Sequence, residues 1–268
     1  MQMYKFVNYK MKEKEVIKQI VNWLTDYQKK SETDGFVIGI SGGIDSALTS
    51  ILAAKTGLPT LCVEMPIQQN KAQEERGKQH INWLKDRFQN VESVRVNLTN
   101  VFHSFTKELP ESHKEENQLS LVNVRARFRM TSLYYYAQLN NYLVVGTGNK
   151  VEDFGIGFFT KYGDGGVDIS PIADLMKTEV YTLCKYLEVN QEILIAPPTD
   201  GLWGDDKTDE EQIGASYPEL EWAMCFNGDV NSLTNREREV LDIYRIMNKK
   251  NQHKMIPIPV CKISNLLK

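Results

Sequence analysis

Short apolar runs that end at glycines or prolines alternate with longer amphipathic stretches through the first 150 residues, and no other feature restricts the fold as much. Phe36-Val37-Ile38-Gly39-Ile40, Thr60 to Met65, Ser93 to Leu98 and Tyr142-Leu143-Val144-Val145 read as strands buried on both faces. Residues 10 to 29, Ala47 to Lys55, Lys71 to Phe88 and Leu119 to Leu139 read as helices between them. Strand and helix at this spacing predict an α/β fold, a parallel sheet with helices on both faces. Ligands in such folds bind at the carboxyl ends of strands, so the loops after Ile40 and Val145 are the places to look. After Pro171 the pattern turns helical to the end, broken by the acidic, proline- and glycine-rich stretch Ala196 to Gly214. Residues 200–213 are expected to act as a mobile lid, with the whole of 1–268 forming one domain.

Bulk properties narrow the function classes. A formal net charge of -3 over 268 residues gives no reason to bind nucleic acid, and no apolar run is long enough to span a membrane. Cys62, Cys184, Cys225 and Cys261 form no metal-ligand pairing. Three lie in apolar stretches and are expected as buried, reduced thiols, which together with the lack of an N-terminal signal region points to the cytoplasm.

The six residues Ser41-Gly42-Gly43-Ile44-Asp45-Ser46 sit between a strand and a helix. Two glycines let backbone N–H groups reach an anion with no Cβ in the way, and the helix start behind them adds unpaired donors and a favourable dipole. Polyphosphate is the natural ligand, and Ser41 and Ser46 offer hydroxyls as well. Asp45 would repel phosphate directly, so its carboxylate makes sense as a Mg2+ ligand bridging to phosphate oxygens. The competing interpretation is an ordinary turn in which Asp45 or Ser46 only caps the helix. No G-K-[ST] is present, so a lysine for the phosphates has to come from elsewhere in the chain. A second block, Gly146-Thr147-Gly148-Asn149-Lys150-Val151-Glu152, begins at the next strand end. That places Thr147 and Glu152 beside the loop, and Glu152 would complete the magnesium shell if it is not simply a solvated acid.

The S-G-G-x-D-S loop resembles that of the N-type ATP pyrophosphatases, with their adenine nucleotide alpha hydrolase-like fold. The run Gly157-Phe158-Phe159-Thr160-Lys161-Tyr162-Gly163-Asp164-Gly165-Gly166-Val167-Asp168 resembles the NAD synthetase family specifically. The resemblance implies a ligase that adenylates the nicotinate carboxylate of deamido-NAD with ATP, releases pyrophosphate, and amidates the product with ammonia. It implies an ATP site of Gly39, Ile40, Ser41, Gly42, Gly43, Ile44, Asp45, Ser46, Thr147, Lys177 and Thr199, with Asp45 and Lys177 catalytic and Mg2+ on Asp45 and Glu152. Deamido-NAD would meet Arg127, Lys161, Asp168, His253 and Lys254, in a homodimer. Lys177 would supply the missing phosphate cation, and a lysine at a helix start is otherwise slightly disfavoured by the dipole. Arg125 and Arg129 share a helix face that Arg127 does not, and Arg127 is chosen for substrate. Met255 stands where the family commonly has an arginine after His-Lys, and the strand ending Val63-Glu64-Met65 lacks a basic residue often found there.

No glutaminase is recognisable, so ammonia is the expected nitrogen source. A tRNA-modifying relative is disfavoured by the missing C-x-x-C and the acidic pI. A nucleotide sensor without turnover would not need Asp45, Glu152 and Lys177 together.

Overall fold

The computed structural model describes residues 11–110, 114–199 and 208–265. Four parallel strands, β1 (Gly35–Gly39), β2 (Thr60–Glu64), β3 (Val91–Arg95) and β4 (Tyr142–Val144), lie in the order β3-β2-β1-β4. Val145 bridges in parallel to Ile169 beyond β4. The chain winds outward to β3 and then crosses back to β4, so the order reverses between β1 and β4. The loops after those two strands therefore flank one crevice.

Period-two alternation explains why β1 is apolar throughout. Phe36 and Ile38 enter one core with α1 (Glu13–Lys30), α2 (Ile44–Ala54) and α6 (Lys177–Tyr186). Val37 enters the opposite core, with Ala137 of α5 (Lys114–Asn140) and Phe102 of α4 (Thr99–Lys107). α3 (Lys71–Lys85) follows β2 and packs on the first face. A separate apolar cluster joins Val151 and Ile156 to α8 (Asp209–Ile213), α9 (Tyr217–Cys225) and α10 (Asn235–Met255), while α7 (Gln191–Ile195) lies on the main core. The expected strands and helices are present, except that the helical pattern expected to run to the end stops at Met255; α4 is an addition that was not read from the sequence.

Residues 200–207 of the expected lid lie outside the described residues. Its last part forms α8, started by Thr208, whose Oγ1 accepts from Glu211 N at 3.2 Å. The expectation of three buried thiols is corrected: Cys62 and Cys184 are buried, whereas Cys225 and Cys261 are exposed and all four are free. Cys261 follows the exposed extended run Ile256–Val260, where an apolar sequence meets no packing partner that would bury it.

His80 of α3 is buried, with Nε2 2.8 Å from Ser50 Oγ, and stacks on Trp83. Burial disfavours the imidazolium and lowers its pKa from 6.5 to about 4. A histidine lowered on folding stabilises the protein above pH 6.5, because the unfolded chain binds the extra proton below it. That stability, about 3 kcal/mol, is expected to be lost as pH falls from 6.5 to 4. Urea unfolding of wild type and His80→Gln at pH 7 and pH 4.5 checks it: the acid loss should shrink in the variant.

Candidate active site

β1 delivers the chain to Ile40, and α2 begins at Ile44, leaving three residues to turn between them. Gly42 makes that turn at φ +78°, and a Cβ there would stand 2.4 Å from Gln73 O of α3. Only glycine meets both demands. The N–H groups of the first turn of α2 have no acceptors within the helix, and Gly43 to Ser46 line the crevice. The serine hydroxyls differ from expectation. Ser46 Oγ donates to Gly43 O at 2.9 Å and receives Ser41 N at 3.3 Å, while Ser41 Oγ accepts from Gly43 N. They brace the loop, and backbone N–H groups remain as its anion donors.

Three charged side chains from distant parts of the chain meet beside this loop. Lys177 Nζ, at the first residue of α6, lies 2.6 Å from Asp45 Oδ2 and 2.9 Å from Glu152 Oε1. Glu152 lies on a π-helical turn, Val151–Ile156, a geometry that aims side chains an α-helix would place elsewhere. Asn149 Nδ2 donates to Asp45 Oδ1 at 3.2 Å, and its Oδ1 accepts from Val151 N and Glu152 N. Tyr217 OH donates to Glu152 Oε1 at 2.5 Å, and the Lys177 ammonium lies over its ring.

Electrostatics follow from burial plus partners. Lys177 is 3% exposed; burial pulls its pKa down, but Asp45 and Glu152 outweigh burial and hold it above the ordinary lysine value. Burial pushes the Asp45 carboxyl up, Lys177 offsets only part of that, and the Glu152 charge adds to it. Burial also acts on Glu152, yet Lys177 and the Tyr217 hydrogen bond bring it below the usual carboxylate range. Two acids therefore share one ammonium unequally. Tyr217→Phe removes a donor to a buried anion and should cost about 2 kcal/mol in urea unfolding; no loss would show that Glu152 does not depend on this hydroxyl.

A cavity of about 260 Å³ opens over the loop, lined by Gly39, Ile40, Ser41, Gly42, Gly43, Ile44, Asp45, Ser46, Thr147, Lys177 and Thr199. These are all the positions expected for ATP, brought together from four parts of the chain. The expected substrate residues form a different group. Arg127 Nη2 donates to Lys161 O at 3.3 Å, and Lys161 Nζ donates to His253 O at 2.8 Å. Lys254 Nζ donates to Gly157 O and Phe159 O, neutralising carbonyls just past the π turn. Asp168 holds β4 in place, accepting from Val144 N at 2.8 Å and from Tyr134 OH at 2.9 Å. His253 and Lys254 belong to the last turn of α10 rather than to a free tail.

Asn149 and Tyr217 are the site residues that sequence reasoning passed over. Asn149 sits inside the Gly146 to Glu152 block without a role assigned to it, and Tyr217 follows the Ala196 to Gly214 stretch with no local signal that marks it. Arg125 and Arg129 do share a face: Arg129 Nε donates to Met65 O, and Arg125 lies over Phe102.

The NAD synthase family model matches residues 16–257. An NH(3)-dependent NAD(+) synthetase of Carboxydothermus hydrogenoformans is 36% identical over 243 residues, 90% of this chain and 94% of that protein. The structure of an NMN synthetase from Francisella tularensis superposes with a TM-score of 0.80 at 33% identity, covering 95% of this chain and 99% of that one. The NH3-dependent NAD synthetase of Campylobacter jejuni does so at 0.76 and 26%, covering 94% and 100%. With its phosphate-type loop, its Asp45–Lys177–Glu152 cluster and a family match across nearly its full length, this chain belongs to the NAD synthase family.

Proposed function

We propose that the chain is an ammonia-dependent ligase that uses ATP to adenylate the nicotinate carboxylate of deamido-NAD, releases pyrophosphate, and lets ammonia displace AMP to give NAD. The observation that carries this reading is the convergence of Asp45, Glu152 and Lys177 beside the backbone donors at the start of α2, in a chain of this family. The N–H groups at the start of α2 grip the β and γ phosphates. Lys177 stands where charge builds as the α-phosphate is attacked, and a preorganised cation there lowers the barrier. Thr147 and Thr199 complete the nucleotide contacts from the β4 loop and the segment after α7. Arg127, Lys161, Asp168, His253 and Lys254 orient the dinucleotide.

The site fits Mg2+. Its two carboxylates already converge on one cation, and Mg2+ typically takes one or two carboxylates plus substrate phosphates rather than an all-protein cage. Among the described residues no group of three or more acidic, histidine or cysteine ligands exists. Asp45 and Glu152 would hold the ion, which would neutralise phosphate charge. With both carboxylates so engaged, Lys177 would be free to pair with phosphate oxygens.

We further assign a homodimer in the cytoplasm, acting as one domain per chain. Tyr135 and Leu139 stand one turn apart on α5, 63% and 64% exposed, a face suited to a second copy. No helix among the described residues is long and apolar enough to cross a membrane.

A second reading, favoured by the likeness to the Francisella tularensis NMN synthetase, is that the acceptor is the nicotinate mononucleotide. Incubation with ATP, magnesium, ammonium and either acceptor decides. The dinucleotide should give NAD and AMP in equal amounts with the larger kcat/KM. A larger kcat/KM for the mononucleotide would replace the substrate, and AMP formation with neither would overturn the ligase reading.

A further inference from the structure

The nucleotide cleft has a charge problem that the assigned residues do not solve. Asp45, Glu152, Asp153, Asp164 and Asp209 line it, and Lys177 is committed to two of them. Beyond Lys177 and the ion that Asp45 and Glu152 would hold, a triphosphate entering this acidic wall is helped by positive charge from another direction.

Helix α3 supplies it. Its second turn lies directly on the loop because two glycines face each other: a Cβ on Gly42 would meet Gly77 N at 3.1 Å, and one on Gly77 would meet Gly42 N at 3.7 Å. That approach brings Gln73 and Arg76, one helical turn apart on one face, to the rim of the cavity. Arg76 Nε donates to Gly42 O at 3.3 Å, which anchors the guanidinium on the loop and leaves its two terminal nitrogens without a hydrogen-bond partner among the described residues. Its charged neighbours on α3 are occupied elsewhere, Glu74 with Arg95 at 2.6 Å and Lys78 with Glu75 at 3.9 Å. Among the described residues Arg76 forms no ion pair with a carboxylate. Gln73 is 5% exposed, lines the cavity, and among the described residues its side-chain amide has no hydrogen-bond partner. Both groups line the cavity, so an incoming anion can take up the hydrogen bonds that the protein leaves open.

We propose that Gln73 and Arg76 form a second phosphate-binding edge, which holds the β and γ phosphates of ATP and then the pyrophosphate product. α3 follows β2, whereas Glu152 follows β4, so the edge lies across the loop from Lys177. One cation serves the bond-breaking α-phosphate and the other serves the leaving group. The guanidinium fork suits two phosphate oxygens at once, and the amide donates a third hydrogen bond. This inference rests on the ligase reading for its nucleotide but concerns residues that reading leaves without a role.

The test measures binding of inorganic pyrophosphate, with magnesium, and of AMP to the full-length protein by calorimetry. Arg76→Met keeps the apolar stem and should weaken pyrophosphate about tenfold or more; Gln73→Ala should weaken it about threefold to tenfold. AMP affinity should stay within about twofold of wild type, because AMP lacks the phosphates this edge holds. The KM for ATP should rise while that for the acceptor does not. Unchanged pyrophosphate affinity in both variants overturns the proposal, and so does an equal loss of pyrophosphate and AMP, which marks a distorted loop. If Arg76→Met does not fold, Arg76→Lys carries the test: it keeps the charge but loses the fork, and pyrophosphate should still weaken selectively. Pyrophosphate binding needs no turnover. A wild-type protein that binds it through Arg76 yet makes no AMP from ATP would overturn the ligase reading and leave this edge standing.

Discussion

Lys177→Met is expected to do the most damage of any single change, to stability and to turnover together. The ammonium is the shared counter-ion of Asp45 and Glu152, at 2.6 and 2.9 Å, and it is 3% exposed. Removing one member of a buried ionic group leaves the others uncompensated, typically at about 3–5 kcal/mol. The side-chain volume is nearly conserved in methionine, so a cavity is not the cause. The two carboxylates then face each other with only Asn149 and Tyr217 as donors, and both acids should shift upward. Glu152 loses the charge that holds it below the ordinary range, so the wild-type order of the two acids collapses. Two measurements separate this account from loss of packing. Stability of the variant should recover as pH falls through the raised carboxylate values, since protonation relieves the repulsion; wild type, in which Asp45 is raised but Glu152 is held low, should gain less. Added magnesium should also restore part of the thermal midpoint of the variant. Pyrophosphate release should fall by about 10³-fold or more, the scale of losing a preorganised charge at the reacting phosphate. A variant as stable as wild type at pH 7 would mean that the two acids are not both ionised.

The parts of this architecture that were legible beforehand are those encoded locally. Phe36 to Ile40 announces a buried strand because every residue is apolar, and Ser41 to Ser46 announces an anion loop because two glycines precede a helix start. Backbone chemistry of that kind needs no partner to be read. The cluster around Lys177 was only half legible. A lysine at the wrong end of a helix dipole is a local oddity, but its partners lie 132 and 25 residues away and meet it only through the crossover from β1 to β4. Asn149 and Tyr217 carry ordinary residue types whose roles come from tertiary placement. The π-helical turn at Val151 to Ile156 is not legible in the sequence, since six residues with two acids and a glycine show no periodicity. Gln73 and Arg76 fall in the stretch Lys71 to Phe88, which reads as a helix and no more. Nothing short of the glycine-to-glycine contact between Gly42 and Gly77 reveals that their face meets the loop. Cys261 shows the opposite error, because an apolar neighbourhood in sequence does not guarantee a packing partner.

Asp45→Asn separates stability from activity in the opposite sense. The folded protein holds the Asp45 carboxyl above its ordinary range, so folding makes its ionised form less favourable than it is in the unfolded chain. The sign is the reverse of a stabilising salt bridge: the raised acid costs stability at neutral pH, and the cost disappears as pH falls below it. Asparagine keeps the shape, removes the charge, and leaves Lys177 paired with Glu152 alone, a neutral pair in place of a net negative triad. The thermal midpoint at pH 7 should therefore hold or rise by a few degrees, on the scale of about 1 kcal/mol. Turnover should nonetheless fall by about 10³-fold or more, because the loop loses the one carboxylate placed between the anion donors and Lys177. Site residues kept at a cost to the fold are a mark of function rather than of packing. Pyrophosphate release and the thermal midpoint, measured on the same preparation, give both halves of the result. If Asp45→Asn unfolded as readily as Lys177→Met, Asp45 would be a structural partner of the lysine and the metal assignment would lose its basis. If it stayed folded and still released pyrophosphate at near the wild-type rate, the carboxylate would have no part in the chemistry.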